Sequence, residues 1–241
     1  YEAPLTARVA VPMTTVPASA AEPAPIPVRE ETAEEAGRSP VSSYDLQALI
    51  HLLRERIGRN GGSILVAETD TAVDRQLAAI LAEALAAGGR VLIVDVNGPA
   101  SPSDDAGLTD LVAGEAAFLD VIRSVASVRR LHAIPRGFVD CNILTDEPEA
   151  LAIALDALAQ SYDWVVYRLG EALSQEAQDL LEAMAGRMNA IVIASDKSPE
   201  DPELVSLHGL AERAGAGTIL VAGEQTESEG AAGGKPGSGL R

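Results

Sequence analysis

Asp95 closes the apolar run Val91–Val94, and Arg168 follows the apolar run Trp164–Tyr167. A carboxylate at the end of a buried strand can ligate a divalent cation or take up a proton. A guanidinium can do neither, because it carries only donors and keeps its proton. A third stretch with chemical content is ETDTAVDR, Glu68–Arg75, between the apolar run Ile64–Val66 and Leu77. A loop that cradles phosphate at such a place needs G-x-x-x-x-G-K-[ST]: glycines that let backbone N–H groups converge, a lysine charge and a hydroxyl for magnesium. Between Val66 and Leu77 there is no glycine and no lysine, and Glu68, Asp70 and Asp74 stand against Arg75. Thr71 and Asp74 have capping-box spacing, which would satisfy the helix start that phosphate otherwise occupies. Like charges a few ångströms apart repel by roughly 1 kcal/mol in water and several times that near a protein surface. The loop is therefore expected to repel a nucleotide, and no cofactor is expected.

The remaining candidates are weaker. His51, His132 and His208 are far apart and lack metal-ligand spacing, so no metal site is expected. Cys141 has no activating cation beside it in sequence and reads as a passive thiol. Arg168 is expected to pair with Glu68, Asp70 or Asp95, and its meeting with Arg75 around an anion is the competing picture.

The elements that must position these groups follow from periodicity. Ser63–Asp95 reads as strand, loop, helix and strand, with Gly88-Gly89 stopping the Ala- and Leu-rich helix. Such a βαβ unit builds a parallel sheet. Before it, Leu46, Leu49, Ile50 and Leu53 form an apolar helical stripe, which either the chain's own sheet or a neighbouring subunit would cover. After it come two short helical pieces hinged at Gly114, a strand at Leu131–Pro135 and a helix at Pro148–Gln160. A strand at Trp164–Tyr167, a helix at Leu173–Met188 and a strand at Ala190–Ala194 follow. A helix at Glu203–Ala214 and a strand at Thr218–Val221 complete the alternation. The pattern predicts an α/β fold with a doubly wound, mostly parallel sheet over residues 44–223. Residues 1–43 are rich in Pro, Ala and Glu and read as a disordered linker. Residues 224–241 are Gly- and Glu-rich and read as a disordered tail.

The 241 residues carry 36 acidic and 18 basic side chains, a net charge of −18 that argues against direct contact with nucleic acid or anionic lipid. Hydrophobic residues make up 47% and aromatics 3%, so Ala, Leu and Val must fill the core. One cysteine allows no internal disulfide. No apolar run approaches the roughly 20 residues of a membrane helix, and the chain opens on Tyr1, as a segment of something longer would.

Several passages resemble the cytoplasmic domain of bacterial polysaccharide co-polymerases, the exopolysaccharide-transport and chain-length-determinant proteins. They are ALAAGGRVLIVDVN, GLTDLVAGEAAFLDVIR, LHAIPRG and SYDWVVYRLGE. That family consists of bacterial tyrosine kinases with a fold similar to the ParA and MinD ATPases. The resemblance implies a P-loop NTPase-like fold, here without a functional P-loop, and covers roughly residues 44–223. It makes Asp95 the vestigial acidic position of the family's second motif and puts Arg168 where a magnesium-site Asp is expected. The family's ring-forming E-x-x-R-x-x-R helix falls on Ala48, His51 and Arg54, and its C-terminal tyrosine cluster has no counterpart after Tyr167. These departures imply a catalytically inactive pseudokinase domain, not an enzyme, with no catalytic or cofactor-binding residues. The resemblance places it on the cytoplasmic face of the bacterial inner membrane, attached through upstream segments. There it would regulate exopolysaccharide or lipopolysaccharide polymerisation and export. Its partners would be other subunits of the same protein and the polymerase and export machinery. The alternative is an active ATP-dependent tyrosine kinase, or a ParA/MinD-like ATPase, with an atypical phosphate site.

Overall fold

β-branched and leucine-rich runs between helices give seven strands joined into one sheet in the order β3-β4-β2-β5-β1-β6-β7. The computed structural model describes residues 46–58, 61–69, 77–99 and 105–223, and the linker and tail expectations lie outside them. The strands are β1 (Gly62–Glu68), β2 (Val91–Asp95), β3 (Arg123–Ser124), β4 (Leu131–Ile134), β5 (Trp164–Leu169), β6 (Ala190–Ala194) and β7 (Ile219–Ala222). All strand pairs are parallel except the short edge pair β3–β4. The helices are α1 (Leu46–Arg56), α2 (Leu77–Ala86), α3 (Leu108–Val112), α4 (Phe118–Val121), α5 (Ile143–Asp146), α6 (Pro148–Ser161), α7 (Gln175–Ala185) and α8 (Pro202–Arg213).

Alternation along the central strands divides the core into two layers. Leu65 and Ala67 of β1, with Val165, Tyr167 and Leu169 of β5, face the layer that α3, α5, α6, α7 and α8 cover. Ile64 and Val66, with Trp164 and Val166, face the layer that α1 and α2 cover. The sheet is thus wound on both faces, as expected, and the α1 stripe is covered from within the chain. Leu49, Ile50 and Leu53 are buried in the same cluster as Leu77, Leu81 and Leu85 of α2.

Two elements were not foreseen. β3 is two residues long and α5 four, too short to leave a periodic signal. The hinge at Gly114 is as expected: it lies between α3 and α4 with φ +76°, a conformation that suits a residue without a side chain.

Leu53 is fully buried. Its change to alanine is expected to destabilise the fold by about 2–5 kcal/mol, read as a shift in the urea midpoint at unchanged slope. A change below ~0.5 kcal/mol, as at a surface position, would mean that α1 does not dock on its own sheet.

Candidate functional site at the carboxyl edge of the sheet

In an open, doubly wound sheet, ligands meet the loops at the carboxyl ends of the strands, where the winding direction changes. Here β1 connects through α2 to β2 on one side, and β5 through α7 to β6 on the other. The ends of β1, β2, β4 and β5 therefore define the candidate site.

Asp95 and Arg168 occupy partnered positions of adjacent strands, β2 and β5. The register places both side chains on the same side of the sheet, since opposed residues of a pleated pair point the same way. Arg168 Nη2 donates to Asp95 Oδ2 at 3.0 Å, and each side chain keeps about a quarter of its surface, 28% and 25%. The backbone N–H of Gly98 donates to Asp95 Oδ1 at 3.0 Å. A Cβ at Gly98 would come within 2.2 Å of Asp95 Oδ2, so a side chain there would push this carboxylate out of place. Of the carboxylates expected to hold Arg168, Asp95 pairs with it, Nη2 to Oδ2 at 3.0 Å, while Asp70 lies outside the described residues.

Burial is the largest influence on Asp95 and raises its pKa above the ordinary carboxylate value, against the opposing pull of Arg168, the Gly98 N–H and Arg136. The folded form thus binds this proton more readily than the unfolded chain. Stability from this group accordingly falls as pH rises from the ordinary carboxylate pKa through the raised one.

Two further links tie the strand ends together. Asn97, just past β2, bonds twice to Gly170, just past β5: Asn97 Nδ2 donates to the Gly170 carbonyl and Gly170 N–H donates to Asn97 Oδ1, both at 2.8 Å. Arg136, after β4, donates from Nη1 to the Gly98 carbonyl at 3.3 Å. Its Nε is shielded from solvent and has no hydrogen-bond partner among the described residues.

The segment that positions Arg136 is GLTD, Gly107–Asp110. Leu108 and Thr109 N–H groups donate to the Pro135 and Arg136 carbonyls at 2.9 and 2.8 Å, and Thr109 Oγ1 donates to the Arg136 carbonyl at 3.0 Å. The Asp110 carboxylate, 2% exposed, accepts from the backbone N–H groups of Gly107 (2.7 Å), Phe138 (3.2 Å) and Val139 (3.2 Å). Gly137 takes φ +104°, and a Cβ there would meet Asp110 Oδ2 at 2.3 Å. Sequence reasoning singled out GLTDLVAGE as a pattern without seeing that its Asp is a buried clamp. The signal that could have found it was an Asp in an apolar segment with glycines close by on both partners.

The other expected site residues are not gathered here. Arg75, Asp70, Thr71 and Asp74 lie outside the described residues. Glu68 is not an exposed loop carboxylate: it is the last residue of β1 and only 2% exposed, so its place in a repelling loop is corrected. His51 and His208 sit on exposed helix faces beside Glu55 and Glu212, and His132 Nδ1 lies 2.7 Å from the Tyr162 hydroxyl. Cys141 is buried, its Sγ 3.7 Å from the Val96 carbonyl, and burial pushes its pKa up to about 11. Tyr167 is sealed in the core, where burial raises its pKa. Among the described residues no cluster of three or more His, Cys, Asp or Glu could hold a metal ion, and no helix is long and apolar enough to cross a membrane.

Two substitutions test this edge. Arg168→Asp removes a half-buried pair and sets two carboxylates against each other, which is expected to cost on the order of 3 kcal/mol. A urea-melt difference within about 0.5 kcal/mol, as for a solvent-facing side chain, would show that Arg168 does not hold Asp95. Asp110→Ala strands three backbone donors and is expected to cost about 2–4 kcal/mol. Amide hydrogen exchange should then accelerate at Phe138 and Val139 before it does in β5. Unchanged exchange at those two amides would refute the clamp.

No protein-family model and no curated protein sequence matches the chain. Solved structures do. The kinase domain of Escherichia coli tyrosine kinase ETK is similar at TM-score 0.62 and 17% identity, covering 81% of this chain and 79% of that one. The VpsO kinase domain is similar at TM-score 0.60 and 13% identity, covering 75% and 93%. The septum site-determining protein MinD from Pyrococcus horikoshii, complexed with Mg-ADP, is similar at TM-score 0.53 and 19% identity, covering 67% and 69%. The expectation of a non-enzyme is corrected by these findings, since the solved domains similar to this chain include tyrosine kinase domains. The physical reason is that phosphoryl transfer asks mainly for positioning and charge stabilisation. The departures in the loop, at Arg168 and in the C-terminal tyrosines are therefore no demonstration that activity is lost. The chain has the α/β fold of bacterial tyrosine kinase domains, which those domains share with MinD.

Proposed function

We propose that the chain is the cytosolic tyrosine-kinase-like domain of a protein that regulates exopolysaccharide or lipopolysaccharide polymerisation and export. On this reading, segments upstream attach it to the inner membrane. Its partners are other subunits of the same protein and the polymerase and export machinery. The observation that carries the reading is the extent of the likeness: it spans 93% of the VpsO kinase domain. The sequence passages that resemble the co-polymerase family support it, because they fall on the parts that build the carboxyl edge. GLTDLVAGE supplies the Asp110 clamp, LHAIPRG supplies β4 and Arg136, and SYDWVVYRLGE supplies β5 and Arg168.

A second reading has its own support. The kinase-domain likeness, together with two guanidinium groups at the ends of β4 and β5, favours an ATP-dependent tyrosine kinase or ParA/MinD-like ATPase with an atypical phosphate site. On that reading Arg136 and Arg168 supply positive charge that the sequence between Val66 and Leu77 does not take from a lysine.

The test is genetic. Cells in which residues 46–223 are deleted from the otherwise complete protein are expected to make polysaccharide of altered amount or chain length. Unchanged yield and length would overturn the first reading. Phosphotyrosine formed on the purified full chain with ATP, and lost in Arg136→Ala with folding intact by circular dichroism, is the outcome the second reading expects. Undiminished phosphotyrosine in that variant would remove Arg136 from it.

A further inference from the structure

We propose that Arg168 is the resident counter-ion of Asp95 and takes the place that a divalent cation would fill at the ends of β2 and β5. The proposal goes beyond both readings above and concerns how the charge of that edge is balanced.

The MinD structure with the same fold is complexed with Mg-ADP, so the described residues at the ends of β2 and β5 can be asked whether they fit such an ion. Asp95 and Arg168 do not. Magnesium demands oxygen ligands in near-octahedral array and gains most from carboxylates that are free to turn toward it. Both Asp95 oxygens are already engaged, Oδ2 by Arg168 Nη2 and Oδ1 by the Gly98 N–H, each at 3.0 Å. Gly98 packs against this carboxylate, so that a Cβ there would lie 2.2 Å from Oδ2. The partnered strand position supplies a cationic side chain, which adds no metal ligand beside Asp95. A guanidinium has no lone pair to offer a metal and would repel one. A second guanidinium, Arg136, acts on the same carboxyl group and is anchored to Gly98 as well.

The arrangement is also held in place from outside the pair. The two Asn97–Gly170 hydrogen bonds fix the spacing of the two strand ends, so Arg168 does not leave Asp95 by a simple parting of the loops. An Arg–carboxylate contact on a rigid frame gives directed, permanent neutralisation that no soluble ion has to be recruited for.

The experiment uses Mn²⁺ as the probe, with free ion counted by electron paramagnetic resonance, on the full chain and on Asp95→Asn. Moderate salt suppresses general binding to an acidic surface. The titration is run without nucleotide and again with ADP. The two proteins are expected to bind the same amount of Mn²⁺ in both series. One site present in the parent chain and lost in Asp95→Asn would overturn the proposal. A double-mutant cycle in urea with Asp95→Asn and Arg168→Gln supplies the positive readout. Coupling of about tenfold or more in the folding equilibrium constant is expected for a resident pair, and additivity would overturn it. Neither measurement depends on polysaccharide output or on phosphotyrosine formation, so failure here and failure of either reading above are told apart.

Discussion

Ile64, Leu65, Val66 and Ala67 are all inaccessible to solvent, and so are Ala190–Ala194 on the neighbouring strand. This two-sided burial decides where polar chemistry can lie in the chain. A charged group placed within such strands would forfeit its hydration with no solvent in reach. Charged side chains are therefore displaced to the strand ends. Among the described residues Glu68 and Arg168 are the charged groups that come nearest the middle of the sheet, and both stand at or next to the last residue of their strands. The position of the carboxyl-edge site follows from the apolarity of the centre.

At that edge charge is balanced locally. Burial raises the pKa of Asp95 against the opposing pull of Arg168, and the pair sits in a frame of further hydrogen bonds. The frame comes from segments far apart in sequence. Asn97 joins the exits of β2 and β5, while Arg136 and the Asp110 clamp bring the exit of β4 to the same place. Each link satisfies backbone donors or acceptors that would otherwise be stranded at the top of a buried sheet.

The sheet was legible because strands buried on both faces are written as unbroken apolar runs. Trp164–Tyr167 and Ala190–Ala194 could be read directly, and the helices between them by their stripes. β3 and α5 were not legible, since two or four residues carry no period. At the site, the Asp95–Arg168 encounter was foreseeable only as one choice among several carboxylates. Parallel register, which sequence does not encode locally, made the selection. Asp110 was missed because a lone Asp in an amphipathic segment looks like a solvent-facing residue. Its burial depends on the Pro135–Gly137 turn, more than twenty residues away in the chain. Reading Glu68 as a loop residue failed for a related reason: β1 runs two residues beyond its apolar run.

Trp164 is the one tryptophan of the chain, it is 4% exposed, and it belongs to the layer formed with α1 and α2. Optical spectroscopy of this protein is therefore one-sided. Indole emission reports the α1/α2 face of the sheet, next to the first residues of β1 and β2 that flank Trp164. The opposite layer holds Tyr167 and the partly buried Tyr162 as its aromatic reporters. With Tyr1 and Tyr44 changed to phenylalanine, comparing emission with tyrosine absorbance during unfolding compares the two sides of one sheet, and a lag between the signals would mean that the layers part in sequence.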